Sequence, residues 1–172
     1  EHNYREAITQ LEYASDVDPQ NGDFRAELAY CRYLYNPQAG GPPALDELGL
    51  VAALRQQVSV THSPAGSPVR VRVEADDLPA LPASVEVAAF RIAVEAVNNS
   101  ARHSGAGEVF LHISQVHEQL EVIVRDAGTS TGPWVPGVGL NSMRERAAEI
   151  GGTVEVTSNG SGSLVRALLP LG

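Results

Sequence analysis

The sequence has no lysine; all twelve of its basic residues are arginines. That absence excludes a GK[ST] phosphate loop, a Schiff-base lysine and the strand lysine of a V-A-I-K motif. A single cysteine, Cys31, leaves neither a disulfide framework nor a cysteine-built zinc site. A net charge of −9 argues against direct nucleic-acid binding through the phosphate backbone. Long apolar runs are absent too: the longest, near Leu48–Leu54, is far too short to cross a bilayer. No secretory-signal pattern is visible at the N-terminus. The expectation is a soluble, acidic, cytoplasmic module with no membrane contact of its own. With 172 residues it can bury roughly 70% of its unfolded surface, so its core needs no disulfides.

What is present changes character near residue 40. All five tyrosines and Cys31 precede that point. Ile8 and Leu11, then Phe24, Leu28 and Cys31, recur at helical spacing, predicting two short helices split by the turn-rich Asp18–Asp23. After the Pro/Gly break at Asn36–Pro43, Leu45–Val58 reads as a third helix with Leu50, Leu54 and Val58 on one face. Thr61–Pro68 reads as a loop. Val69, Val71 and Val73 then alternate with charged residues as a half-buried strand. Ser84 is a candidate N-cap for a long helix reaching about His103. Glu108–Ser114 and Gln119–Arg125 read as a hairpin. A Gly/Pro-rich stretch, Ala127–Val138, precedes a helix at about Leu140–Ile150, and strands Thr153–Thr157 and Leu164–Leu169 close the chain. This order has too few crossovers for a doubly wound sheet. It predicts an α/β two-layer sandwich: a mixed sheet with helices on one face, preceded by short helices. The expected division is a helical segment and linker over 1–63 and a catalytic domain over 64–172.

The chemistry concentrates in one helix. At about 100° per residue, Glu95, Asn99, Arg102 and His103 share a stripe, and Phe90, Ala93, Val94, Val97 and Ala101 lie nearly opposite. Any amphipathic surface helix shows such a split. The sequence Asn98-Asn99-Ser100, however, is costly inside a helix, where a plain surface face would use Glu, Arg or Gln. An asparagine oxygen suits a hard cation such as magnesium. Asp126-Ala127-Gly128 ends a strand, which alone is commonly just a turn. Gly137-Val138-Gly139-Leu140 opens a helix whose N–H groups can approach phosphate oxygens; alone, such a glycine pair is a weak signal.

Taken together, EAVNNSARH (95–103), DAGTSTG (126–132), GVGLNSMRER (137–146) and GSGS (160–163) resemble the ATP-binding domain of sensor histidine kinases, in the GHKL ATPase superfamily. GPPALDELGLVAALR (41–55) resembles the linker helix of the subfamily that signals to NarL-type response regulators. The resemblance covers about Gly41–Leu171. It implies ATP and magnesium as cofactors. Asn99 would coordinate the metal, Glu95 would polarise the nucleophile, and His103 would sit near the phosphates. Asp126 would accept the adenine amino group, with Gly128 passing close to the base and Ser163 nearby where the family usually has threonine. Gly137, Gly139 and Leu140 would line the phosphate side through their N–H groups, with Arg102 the nearest arginine, and Ala127–Val138 would be a short lid.

Two departures stand out. Ser130 replaces the second glycine of the family's D-x-G-x-G. None of the five histidines fits the phosphoacceptor H-[DE] motif on an upstream helix: His117-Glu118 has the dipeptide but falls at a predicted hairpin turn. The resemblance therefore implies an enzyme fragment, a protein histidine kinase whose phosphoacceptor helix domain lies outside this chain. Implied partners are that domain and a NarL-type response regulator, within a homodimeric full-length kinase, often membrane-anchored. Two alternatives stay open at this point: an anti-sigma-type serine kinase, and a partner-binding module whose nucleotide pocket has decayed.

Overall fold

The computed structural model describes residues 13, 43–59, 61–128, 138–159 and 161–172. The two short helices expected before residue 36, Ser130, Trp134, Gly137 and most of the expected lid lie outside these residues. The chain divides into two compact units, Glu1–Glu47 and Leu48–Gly172. The second contains the sheet and everything that follows.

In chain order the elements are α1 (Pro43–Val58), β1 (Thr61–His62), β2 (Pro68–Ala75), α2 (Ala83–His103), β3 (Glu108–Val116), β4 (Gln119–Asp126), α3 (Val138–Glu149), β5 (Thr153–Ser158) and β6 (Ser163–Pro170). The six strands form one mixed sheet in the order β1-β2-β3-β4-β6-β5. Only β2 and β3 run parallel, and α2 is the crossover between them. The other neighbours are antiparallel.

Strand period fixes which side is covered. Cross-strand rows Leu111–Val124–Val165 and Ile113–Val122–Ala167–Val154 are buried along their whole length. Helix α2 packs on β3, β4 and β6, and α3 on β5 and β6. The alternate rows carry charge and are mostly half-buried or exposed. There the Arg125 guanidinium lies 4.4 Å from the centre of the Phe110 ring, Arg72 pairs with Glu108 at 2.8 Å, and Arg166 pairs with buried Glu121 at 2.7 Å. The two-layer sandwich expected from the element order is the fold observed.

Helix α2 forms because Val85, Ala88, Ala89, Ile92, Ala93, Ala96, Val97, Ser100 and Ala101 fall on one stripe, all buried. Five of these nine are alanines, which favour helix and let the axis approach the sheet closely. Ser84 is not the N-cap. The extended Pro82 takes that place, and its carbonyl accepts the N–H groups of Val85 and Glu86. Proline's fixed φ pre-sets that entry without a side-chain cap. The helix ends with Ser104 N–H donating to the Ser100 carbonyl and Gly105 in the left-handed region.

Three local features differ from or sharpen the expectation. Helix α1 is broken inside by Gly49, at φ 74° and ψ 170°, although Leu50, Leu54 and Val58 are buried as their spacing predicts. The segment read as a loop from Thr61 begins with a two-residue edge strand against Pro68 and Val69, too short to show alternation. The β3–β4 turn is the dipeptide His117-Glu118, with His117 at φ 56°. No helix among the described residues is long and apolar enough to cross a membrane.

The one-sided core gives a stability contrast. Leu111→Ala, on the helix-covered face, should cost about 2–5 kcal/mol in urea unfolding. Arg72→Ala, on the opposite face, should cost under about 1 kcal/mol. Similar losses for both would contradict the layering.

Candidate functional site

Asp126 is the last residue of β4 and pairs with Val109, so its parity places it on the helix-covered face with Val122 and Val124. A carboxylate there needs donors, and three are supplied. Its Oδ1 accepts the N–H groups of Gly128 at 3.0 Å and Ser163 at 3.3 Å. Its Oδ2 accepts the Ser163 hydroxyl at 2.5 Å. Among the described residues, one lone-pair direction on Oδ2 is left over, since a carboxylate offers about four in all.

Two glycines make this geometry possible. A Cβ on Gly128 would overlap the Ser104 carbonyl, so the chain leaving β4 rests directly on the end of α2. A Cβ on Gly162 would overlap the Asp126 carbonyl, and its φ of 148° itself favours glycine. The strand exit and the β5–β6 hairpin thus meet backbone to backbone around Asp126.

Helix α2 supplies the facing wall. Asn99, Ser100, His103 and Ser104 join Ala96, Asp126, Gly128, Ser158, Gly162, Ser163 and Val165 around one open cleft of about 390 Å³. Ser104 is itself buried, and its hydroxyl accepts the N–H of Ala106 at 3.0 Å.

Toward the other end of α2, Glu95 and Asn99 stand one turn apart and half-buried. The first turn of α3 reaches them at Gly139. A Cβ there would overlap Glu95 Oε1 and stand 3.0 Å from Asn99 Nδ2. No group of three or more His, Cys, Asp or Glu capable of holding a metal occurs among the described residues. A carboxylate and an amide side by side nevertheless fit magnesium, which takes one or two protein oxygens and completes its shell with phosphate oxygens and water.

Of the residues expected to act together, Asn99, His103, Asp126, Gly128 and Ser163 line the same cleft, and Glu95 and Gly139 meet beside Asn99. The Leu140 side chain is buried with Met143 and Ala147 on the inner face of α3, leaving only its backbone for a ligand. Half-buried Arg102 is not among the described residues lining the cleft. Gly137 lies outside the described residues. Sequence reading missed Ser100, Ser104 and Ser158. Ser158 was recoverable, because it pairs with Ser163 across the final hairpin. The place of Ser104 follows only from the close approach of Gly128.

Comparison with known proteins completes the description. No protein-family model matches the chain. It is 32% identical over 131 residues to the signal transduction histidine-protein kinase/phosphatase UhpB of Salmonella typhimurium, across 75% of this chain and 26% of that protein. To the sensor histidine kinase MctS of Rhizobium johnstonii it is 29% identical over 136 residues, across 75% of this chain and 29% of that protein. The chain thus spans well under half the length of these relatives. In fold it resembles the blue-light activated histidine kinase EL346 of Erythrobacter litoralis, with TM-score 0.64, 19% identity and coverage of 99% of this chain and 61% of that one. It also resembles full-length ShkA in complex with AMPPNP, with TM-score 0.56, 23% identity and coverage of 69% of this chain and 29% of that one. By sequence the chain belongs with the sensor histidine kinases, and its fold is that of their catalytic domains.

Proposed function

We propose that this chain binds magnesium-ATP and transfers the γ-phosphoryl group to a histidine on the phosphoacceptor helix domain of the same kinase. That domain lies outside this chain, and the phosphoryl group then passes to a NarL-type response regulator. The full-length protein acts as a homodimer, and residues 64–172 form the nucleotide-binding part, since every cleft-lining residue falls within them.

One observation carries this: a cleft with an acceptor-only carboxylate at one end and the Glu95–Asn99 pair along the same helix wall. The free direction on Asp126 Oδ2 accepts a hydrogen from an exocyclic amine. It meets the amino group of adenine favourably and the keto oxygen of guanine unfavourably, because lone pairs would then face each other. Asn99, with its amide oxygen, is the side chain to hold magnesium, which supplies charge neutralisation to the phosphates. The N–H groups opening α3 add donors without a lysine. Glu95 orients the attacking imidazole and takes its proton as the nitrogen bonds to the γ-phosphorus and the bond to the ADP oxygen breaks.

The histidines support transfer to another domain. His62 lies in β1, His112 in β3 and His117 in the β3–β4 turn, and His103, at the end of α2, faces the cleft. Among the described residues, none belongs to an H-[DE] pair on a helix.

Three outcomes are expected. Asp126→Asn replaces the free acceptor and should weaken ATP binding by about 1.5–3 kcal/mol in calorimetry; unchanged affinity would remove the adenine role. Asn99→Ala should abolish the magnesium-dependent part of nucleotide binding with the melting temperature unchanged or slightly raised, since alanine favours helix. A large fall in melting temperature would assign Asn99 to the fold instead. Magnesium-ATP should change the emission of Trp134, the only tryptophan, while the chain acquires no acid-labile phosphate. Self-labelling would place the acceptor within this chain.

A further inference from the structure

The close glycines of this fold meet different kinds of obstacle. Added Cβ atoms at Gly128 and Gly162 strike main-chain carbonyls, and one at Gly152 stands 2.5 Å from the Leu168 carbonyl. At Gly139 the three nearest atoms are Glu95 Oε1, Asn99 Nδ2 and Glu95 Cδ. All belong to the ends of two side chains, both on the polar stripe of α2. The backbone of α3 therefore tolerates a larger residue at 139, but the carboxylate and amide beside it do not keep their places.

The helices on both sides of that contact are packed into the core. Leu140, Met143 and Ala147 anchor α3 in the core, and Ala93, Ala96 and Val97 anchor the facing segment of α2. With both helices fixed, the freedom left at the contact is the rotamer choice of Glu95 and Asn99. A bare α-carbon at 139 leaves room for both side chains in the arrangement described. A methyl group there excludes Glu95 from it and crowds Asn99.

Resting on the nucleotide-binding reading of the cleft, we infer that Gly139 is a positioning residue for Glu95 and Asn99. Its lack of a side chain sets where the carboxylate stands relative to the metal-binding amide. Its contribution thereby differs from phosphate approach, which depends on the main-chain N–H and survives an alanine.

A double-mutant cycle on the whole chain tests this. Gly139→Ala should weaken binding of magnesium-AMPPNP about tenfold or more, and leave metal-free ADP binding within about twofold. In a Glu95→Ala background the collision partner is gone, so Gly139→Ala should then cost less than about threefold. Equal losses in the two backgrounds, or an equal loss of metal-free ADP, would overturn the inference. Melting temperature gives a second cycle that needs no nucleotide. Gly139→Ala should raise it by about 2 °C or more in the Glu95→Ala chain, through helix propensity, and lower it or leave it unchanged when Glu95 is present. Equal shifts in both backgrounds would also overturn it. A parent chain that binds no nucleotide would sink the proposed function, and the thermal cycle alone would then decide whether the contact exists.

Discussion

The alanine-rich stripe of α2 pressed against β3, β4 and β6 is the contact on which the rest of this molecule depends. Burying Phe90, Ile92 and Val97 contributes about 1.5–3 kcal/mol each and fixes the helix in rotation as well as position. Because the same helix carries Glu95, Asn99 and His103 on other faces, fixing its rotation aims those groups. A turn of one residue would swing the polar stripe by about 100° and empty the cleft of its wall. Core and site here are two sides of one constraint.

Strand parity imposes a matching constraint from below. Asp126 stands on the covered face because Val122 and Val124 do, and the register with Val109 and Val165 holds that alternation in place. A carboxylate on this face would be costly if it were left dry and unpaired. The two N–H donors and the Ser163 hydroxyl offset that cost.

The elements of this fold were legible because their signals are local. The period of α2 and the alternation in β3 and β4 each sit within a few residues. The grouping of Glu95, Asn99, Asp126 and Ser163 was legible only through their joint resemblance to a family motif, since a strand exit, a helix stripe and a hairpin carry no record of meeting. Ser104 and the Glu95–Gly139 contact were not legible at all. They arise where elements distant in the chain approach to van der Waals distance, and no period marks them. The break at Gly49 was hidden for the opposite reason: the apolar spacing continues through Leu50, Leu54 and Val58, although the backbone does not.

The main-chain N–H groups of Gly128 and Ser163 hold one oxygen of the Asp126 carboxylate, and the Ser163 hydroxyl holds the other. Side-chain identity in the surrounding layers therefore has little leverage over where that carboxylate points. Exchanges among Val, Ile and Leu in the sheet can accumulate without redirecting it. The direction of that carboxylate is thus insulated from exchanges in the core, whereas the outer wall of the cleft, at Asn99, His103 and Ser158, is made of side chains and changes with them.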